Sequence, residues 1–168
     1  VKLNIETCYF SPRLSNERLR IASLVKDNEK VLVMFSGVGI FPLIISRTSH
    51  ANEIFGIEIN PSAHKYATEN LKLNKKNNIK LFLGDVKKII PRLKTKFDRI
   101  IMPLPSDSLD YLDDAIKVAK KNAFIHLYVF DLDAALKRLK KERIKQIKII
   151  KAGNVSPGRY RYCLDIKP

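Results

Sequence analysis

Five short apolar runs, separated by amphipathic helical stretches, constrain this chain more than any other feature. Val31-Leu32-Val33-Met34-Phe35 contains no polar position. A strand with one wet face alternates polar and apolar residues, so a run without alternation is covered on both faces. Glu53 to Glu58, Ile79 to Leu83, Phe97 to Met102 and Ala123 to Phe130 read as further strands. Between them lie an apolar stretch from Ile40 to Ile45 and a helix opened by Asn60-Pro61, with Pro61 suited to its first turn. That helix is expected to present Ala63, Tyr66, Ala67, Leu71 and Leu73 to a core. A second helix, N-capped by Ser106, carries Leu109, Leu112, Ala115, Ile116 and Ala119.

The end of the chain departs from this alternation. After a basic helix from about Asp131 to Arg143, the stretches Gln146 to Lys151 and Arg159 to Ile166 are strand-like, joined by Gly153-Asn154-Val155-Ser156-Pro157-Gly158. Strands joined by so short a loop pair antiparallel. The expected fold is α/β: a mostly parallel sheet with an antiparallel terminal hairpin, the architecture of the class I AdoMet-dependent (Rossmann-like) methyltransferases. Residues 1–22 lead into a single domain over 23–168, since 168 residues support one sizeable core. Architecture does not fix function, which must come from the site.

Charge narrows the partners. Thirty-two Lys and Arg stand against seventeen Asp and Glu, a net +15. Such an excess favours polyanions, because phosphate contacts release counterions. Lysine-rich coding bias is the competing account, as in Asn74-Lys75-Lys76-Asn77-Asn78. Charge does not choose between RNA and DNA. Cys8 and Cys163 lack metal-ligand spacing, and no apolar run approaches the roughly 20 residues that span a bilayer. A cytoplasmic protein with neither metal nor membrane is expected; nothing sets its oligomeric state.

The first strand runs into Ser36-Gly37-Val38-Gly39 and then a helix. Glycines there admit close backbone approach by a ligand, and ligands bind at the carboxyl ends of parallel strands. Pro42 stands where a third dinucleotide-binding glycine would be, which argues against that cofactor. Glu58 ends the second strand, where a carboxylate can accept both ribose hydroxyls; Asp85, after the third, can face an adenine amino group. Each alone is equally a solvated strand-end carboxylate. Glycine turn, Glu58 and Asp85 together point to S-adenosyl-L-methionine.

Several blocks go further. Phe10-Ser11-Pro12-Arg13-Leu14-Ser15-Asn16-Glu17-Arg18, Met34-Phe35-Ser36-Gly37-Val38-Gly39, Ile59-Asn60-Pro61, Leu104-Pro105 and Ser156-Pro157-Gly158 follow in order. Together they resemble the archaeal and eukaryotic tRNA methyltransferases that modify N1 of the guanosine 3′ of the anticodon. The resemblance covers essentially the whole chain and implies tRNA as substrate. It places cofactor contacts at Phe35, Ser36, Gly37, Val38, Gly39, Glu58, Ile59 and Asp85. It implies Glu17 as general base, because N1 of guanine is a poor nucleophile until its proton leaves. An ordinary carboxylate is a weak base for that proton, and burial strengthens it. Arg13 and Arg18 would orient the guanine or hold a phosphate. On the residues alone, this stretch is a capped helix start, with Ser15 at its head and Arg18 and Arg20 on an exposed face.

Two positions depart from the family pattern. Asn-Leu-Pro is expected after the fourth strand, its amide contacting the target base, but the chain reads Pro103-Leu104-Pro105. Proline offers no side-chain donor or acceptor. The acidic residue expected just before Met34 is Val33, which removes a contact to the methionine part of the cofactor. Family members also carry upstream regions that recognise the tRNA body and supply another arginine. The chain opens at Val1 almost directly on the first block, so it is either a piece of a longer protein or relies on basic surface from Lys137 to Arg161. Tyr160 and Tyr162 alternate with Arg159 and Arg161; packing is the expectation for the tyrosines, and base stacking the alternative.

Three activities compete: methyl transfer to N1 of an extruded guanine, aminocarboxypropyl transfer from the same cofactor to a modified guanine of the wybutosine pathway, and RNA binding without turnover. The Ser11 to Leu14 block favours the first. His50, His64 and His126 suggest no role, and Asp107, Asp110, Asp113 and Asp114 read as a solvated helix face.

Overall fold

Strand β1 (Lys30–Met34) takes the centre of the sheet because both its faces are apolar. Val31 and Val33 point into one layer, Leu32 and Met34 into the other, and all four are fully buried. The computed structural model describes every residue except Arg143 and Lys145. In chain order the elements are α1 (Ser15–Ser23), β1, α2 (Ile40–Thr48), β2 (Glu53–Glu58), α3 (Pro61–Leu73), β3 (Ile79–Leu83) and α4 (Val86–Leu93). There follow β4 (Phe97–Met102), α5 (Leu112–Val118), β5 (Ala119–Val129), α6 (Leu132–Leu139), β6 (Gln146–Ser156) and β7 (Arg159–Lys167). The seven strands lie in the order β3-β2-β1-β4-β5-β7-β6. The first five run parallel, and β7 is antiparallel to both its neighbours.

One apolar layer joins Leu32, Met34, Ile100 and Met102 to Val86 and Ile90 of α4, Leu112 and Ala115 of α5 and Leu139 of α6. The other joins Val31, Val33, Ile101 and Tyr128 to Ile21 of α1 and to Phe41 and Ile45 of α2. No helix among the described residues is long and apolar enough to cross a membrane.

Five details differ from the sequence-based expectation. Leu73 is 68% exposed, and the buried position of that last turn is Asn70, whose amide holds Lys2 and the Val38 carbonyl. Ser106 caps no helix. Its hydroxyl goes to Asp107, while the buried Ser108 donates to the carbonyls of Met102 and Leu104 and opens a 3₁₀ turn (Ser108–Tyr111). Ala119 already belongs to β5, where Asn122 at φ 70° absorbs a register shift against β4. Helix α6 stops at Leu139, short of the expected end; Arg143 lies outside the described residues. The expected loop before Pro157 is mostly strand, with only Pro157 and Gly158 making the turn.

Helix α1 is fastened to the sheet by buried polar groups. Arg20 Nη1 donates to Asp165 Oδ2 at 2.7 Å. Asp165 Oδ1 accepts from His126 Nδ1 at 2.6 Å, on the adjacent strand. Arg99 on β4 donates to His126 Nε2 at 2.8 Å, so the ring proton sits on Nδ1. Arg99 also holds both oxygens of Glu29, at 2.7 and 2.9 Å, and the Leu24 carbonyl at 2.6 Å. Burial alone would raise the Asp165 carboxyl, but hydrogen bonds from His126 and Arg20 outweigh it and hold it well below the usual range. Burial lowers His126.

Two outcomes follow for unfolding experiments. Ile100→Ala, at a fully buried position, should cost about 2–5 kcal/mol in urea denaturation. Because Asp165 titrates lower folded than unfolded, its contribution is complete above the unfolded value of about 3.9 and is lost as pH falls through the folded one. Asp165→Asn should therefore be less stable than the parent at neutral pH, and the gap should narrow below about pH 4 when melting is followed by circular dichroism.

Candidate active site

Beyond Met34 the backbone turns left-handed three times in five residues, at Phe35 (φ 58°), Gly37 (φ 56°) and Gly39 (φ 84°). At Gly39 a side chain would lie 3.2 Å from the Ala67 Cβ, so α2 and α3 can approach only because glycine stands there. At Gly37 nothing lies within 4 Å of the place a Cβ would take, which leaves open space before the turn. Glu58 clamps this turn to the end of β2: its Oε2 accepts from the Gly37 amide at 2.7 Å and its Oε1 from the Asn60 amide at 2.8 Å. Each oxygen keeps a lone pair beyond these bonds. Asp85 is the N-cap of α4, with Oδ1 accepting from the Lys87 amide at 2.9 Å. Ile59 stands exposed beside Glu58. The turn, Glu58, Ile59 and Asp85 thus share the carboxyl edge of the parallel strands, next to the point where strand order reverses between β1 and β4.

A cleft opens at that reversal, lined by Phe35, Ser36, Gly37, Val38, Arg18 and Pro103, with Tyr9 and Phe10 at its side. Arg18 is buried, contrary to an exposed helix face. Its guanidinium carbon lies 5.1 Å from the Phe10 ring centroid and 5.9 Å from that of Phe41, and its Nη1 donates to the Ser11 carbonyl at 3.0 Å. Burial lowers its pKa. Its Nε has no partner, and neither has the buried Ser36 hydroxyl. Pro103 forms a wall of the cleft, and Leu104 is held through its carbonyl by Ser108; Pro105 follows half-buried. Val33 lies wholly within the apolar layer under α1 and α2.

Glu17 sits behind this cleft, 7% exposed, and is not part of its lining. Its carboxylate accepts from Arg20 Nε (2.7 Å), from Arg20 Nη2 (2.8 Å) and from the Tyr128 hydroxyl (2.7 Å). Burial and the neighbouring Cys163 and Glu17 push the Tyr128 hydroxyl well above its ordinary value, so it donates. Ser15 is not the cap of α1; its hydroxyl donates back to Pro12. Arg13 is exposed and lines a separate small cleft with Tyr9, Asn154 and Arg161.

Sequence reasoning missed Arg20, Tyr128, Asp165, His126 and Arg99. None belongs to a motif. A signal was present in the i,i+3 spacing of Glu17 and Arg20, and in the strand alternation that puts Cys163 and Asp165 on one face.

The sequence and the fold match known proteins. The model of the TRM5/TYW2 methyltransferase domain matches residues 1–155. The tRNA (guanine(37)-N(1))-methyltransferase Trm5b of Pyrococcus abyssi is 35% identical across 99% of this chain and 52% of its own length. Its crystal structure superposes with a TM-score of 0.89 at 34% identity, covering 99% of this chain and 52% of that one. The crystal structure of Methanocaldococcus jannaschii TYW2 in complex with AdoMet gives 0.87 at 27% identity, covering 99% of this chain and 80% of that one. The chain spans about half the length of Trm5b. On its sequence and its fold alike, the chain belongs to the TRM5/TYW2 methyltransferase domain family.

Proposed function

We propose that the chain binds S-adenosyl-L-methionine against the β1 turn and catalyses methylation of N1 of a tRNA guanosine next to the anticodon, in the cytoplasm. The observation that carries this reading is the cleft at the carboxyl edge of the sheet, where Arg18 of α1 meets the β1 turn that Glu58 clamps. The activity of the Trm5b relative and the AdoMet complex of TYW2 support it.

The residues fit such a cofactor. Glu58 has lone pairs left for ribose hydroxyls after clamping the turn. The open space at Gly37 admits a ligand close to the backbone, and the unpartnered Ser36 hydroxyl offers a further hydrogen bond. Asp85 and Ile59 flank the place for the adenine. When bound, S-adenosyl-L-methionine supplies a methyl group made electrophilic by its sulfonium.

The rest falls to the chain. Arg18, its guanidinium packed near the Phe10 and Phe41 rings at the lining of the cleft, orients the guanine. Pro103 gives a rigid wall without a hydrogen bond. Glu17 takes the N1 proton, leaving N1 with the electron pair that forms the new carbon–nitrogen bond; the methyl–sulfur bond of the cofactor would break in return, its sulfur leaving as a neutral thioether. Four lone pairs on its carboxylate meet three donors, so one on Oε2 remains for that proton. Once Glu17 is neutral, Arg20 still has Asp165, and no buried cation is stranded.

The test is incubation with unmodified tRNA transcripts and S-adenosyl-L-methionine, followed by nucleoside mass analysis. One methyl gained on guanosine is expected. Glu17→Gln should lower the single-turnover rate by about 10²–10⁴-fold, the usual span for a general base, while calorimetry shows cofactor affinity unchanged. An aminocarboxypropyl gain would transfer the assignment to that chemistry, and cofactor binding without any product would mean RNA binding alone.

A further inference from the structure

Beside the cleft described above lies a second one that no part of the proposed reaction uses. Tyr9, Ser11, Arg13, Leu14, Asn154 and Arg161 line it, and Tyr9 and Leu14 also line the first. The two clefts therefore adjoin, with Tyr9, 75% exposed, standing between them.

Its charge is uncompensated. Among the described residues the arginine ion pairs belong to Arg20, Arg99 and Arg138. Arg13, Arg159 and Arg161 make none, and no carboxylate lines the cleft. Arg159 and Arg161 alternate along β7 and share one aromatic support: their guanidinium carbons lie 4.9 and 5.6 Å from the Phe130 ring centroid. Arg161 Nη2 donates to the Tyr9 hydroxyl at 3.2 Å. Its Nε is buried and has no acceptor. A buried donor without a partner costs free energy, and one set beside like charges points to an acceptor supplied from outside. Arg18 feels the same deficit: after burial, the positive charge of Arg161 is among the causes that lower it.

We propose that this cleft is a phosphodiester site, in which Arg161 and Arg13, backed by Arg159, hold a backbone phosphate next to the guanosine placed in the neighbouring cleft. The proposal rests on the tRNA reading given above. A backbone phosphodiester brings two non-bridging oxygens and a negative charge, which answers the clustered cations. Arginine on an aromatic face is pre-oriented for such a planar, forked contact. A fixed phosphate one step along the strand would also resist rotation of the extruded nucleotide, so Tyr9 separates a position for the base from one for its backbone.

The test uses the whole chain, an unmodified tRNA transcript and a series of KCl concentrations, with binding followed by fluorescence anisotropy. Arg161→Met and Arg159→Met are compared with Lys26→Met, an exposed cation at the far end of α1. Melting curves establish that each variant is folded. Each phosphate contact contributes about 0.7–0.9 to the slope of log affinity against log salt. Arg161→Met should lower that slope by roughly this amount and weaken binding by about 5–10-fold near 0.1 M salt, with a smaller effect at Arg159 and none at Lys26. An unchanged slope in Arg161→Met overturns the proposal. An equal loss in Lys26→Met overturns it too, since diffuse attraction would then explain both, and so does failure of the unsubstituted chain to bind RNA. Binding without methylated guanosine would sink the methyl-transfer reading alone, because the slopes still decide the cleft.

Discussion

The site depends on the bridge that Arg20 makes between Glu17 of its own helix and Asp165 of β7. Helix α1 has few apolar anchors in its first turns, where Glu17 and Arg18 are the buried residues rather than leucines or valines. Packing alone would leave its rotation poorly determined. The bridge fixes that rotation, because one guanidinium has to meet two carboxylates on different elements. Burying charges is expensive, and a buried pair seldom outperforms apolar packing of the same volume. The cost is limited here because nearly every group is saturated: Tyr128 completes Glu17, His126 completes Asp165, and Arg99 with Glu29 completes His126. What the arrangement gains is geometry. Glu17 and Arg18 are neighbours in sequence, so fixing one as the bridged carboxylate directs the other toward the cleft.

The cofactor end works by a similar economy of groups. Glu58 is a clamp for the β1 turn before it can be a ligand for anything else, since both its oxygens already hold backbone amides. Asp85 is likewise a helix cap first. A strand-end carboxylate in this fold therefore serves structure and binding together: it draws the turn into its left-handed path and still carries unused lone pairs on the open side. This is why the solvated-carboxylate reading and the ligand reading of Glu58 need not exclude each other.

The parallel sheet was legible because Val31 to Met34 and Ile100 to Met102 lack alternation, and the terminal hairpin because two β-like runs flank Pro157-Gly158. Local capping chemistry was less so. Ser106 and Ser108 are the same residue type two positions apart, and the choice between them is made by the carbonyls of Met102 and Leu104, which only the folded loop brings near. The same holds for the network under α1. The i,i+3 spacing from Glu17 hints at one partner of Arg20, but nothing local shows the bridge, because its second partner lies 145 residues away. His126 gave no signal, since its meaning comes from cross-strand register with Asp165. Motifs recorded the cleft; register and long-range pairing built what stands behind it.

Val33 and Pro103 acquire a physical meaning from this arrangement. Val33 is sealed within apolar packing beside Ile21 and Phe41, where a carboxylate would need its own buried partner, so valine is the less costly occupant. Pro103 removes a side-chain hydrogen-bonding group from the wall of the cleft. Both changes take polarity away from the same end of the sheet. The polar atoms without partners that remain there are Arg18 Nε and the Ser36 hydroxyl. Under the proposed reading, recognition of a base edge in this cleft rests on Arg18, with Pro103 contributing shape rather than a hydrogen bond. The Phe10 and Phe41 rings near the guanidinium and the Ser11 carbonyl that accepts from it support that division, because they restrict Arg18. If the substrate is read through Arg18 as proposed, a second fixed point on the same strand of RNA would add to that reading, and the proposed phosphate site supported on Phe130 would supply it.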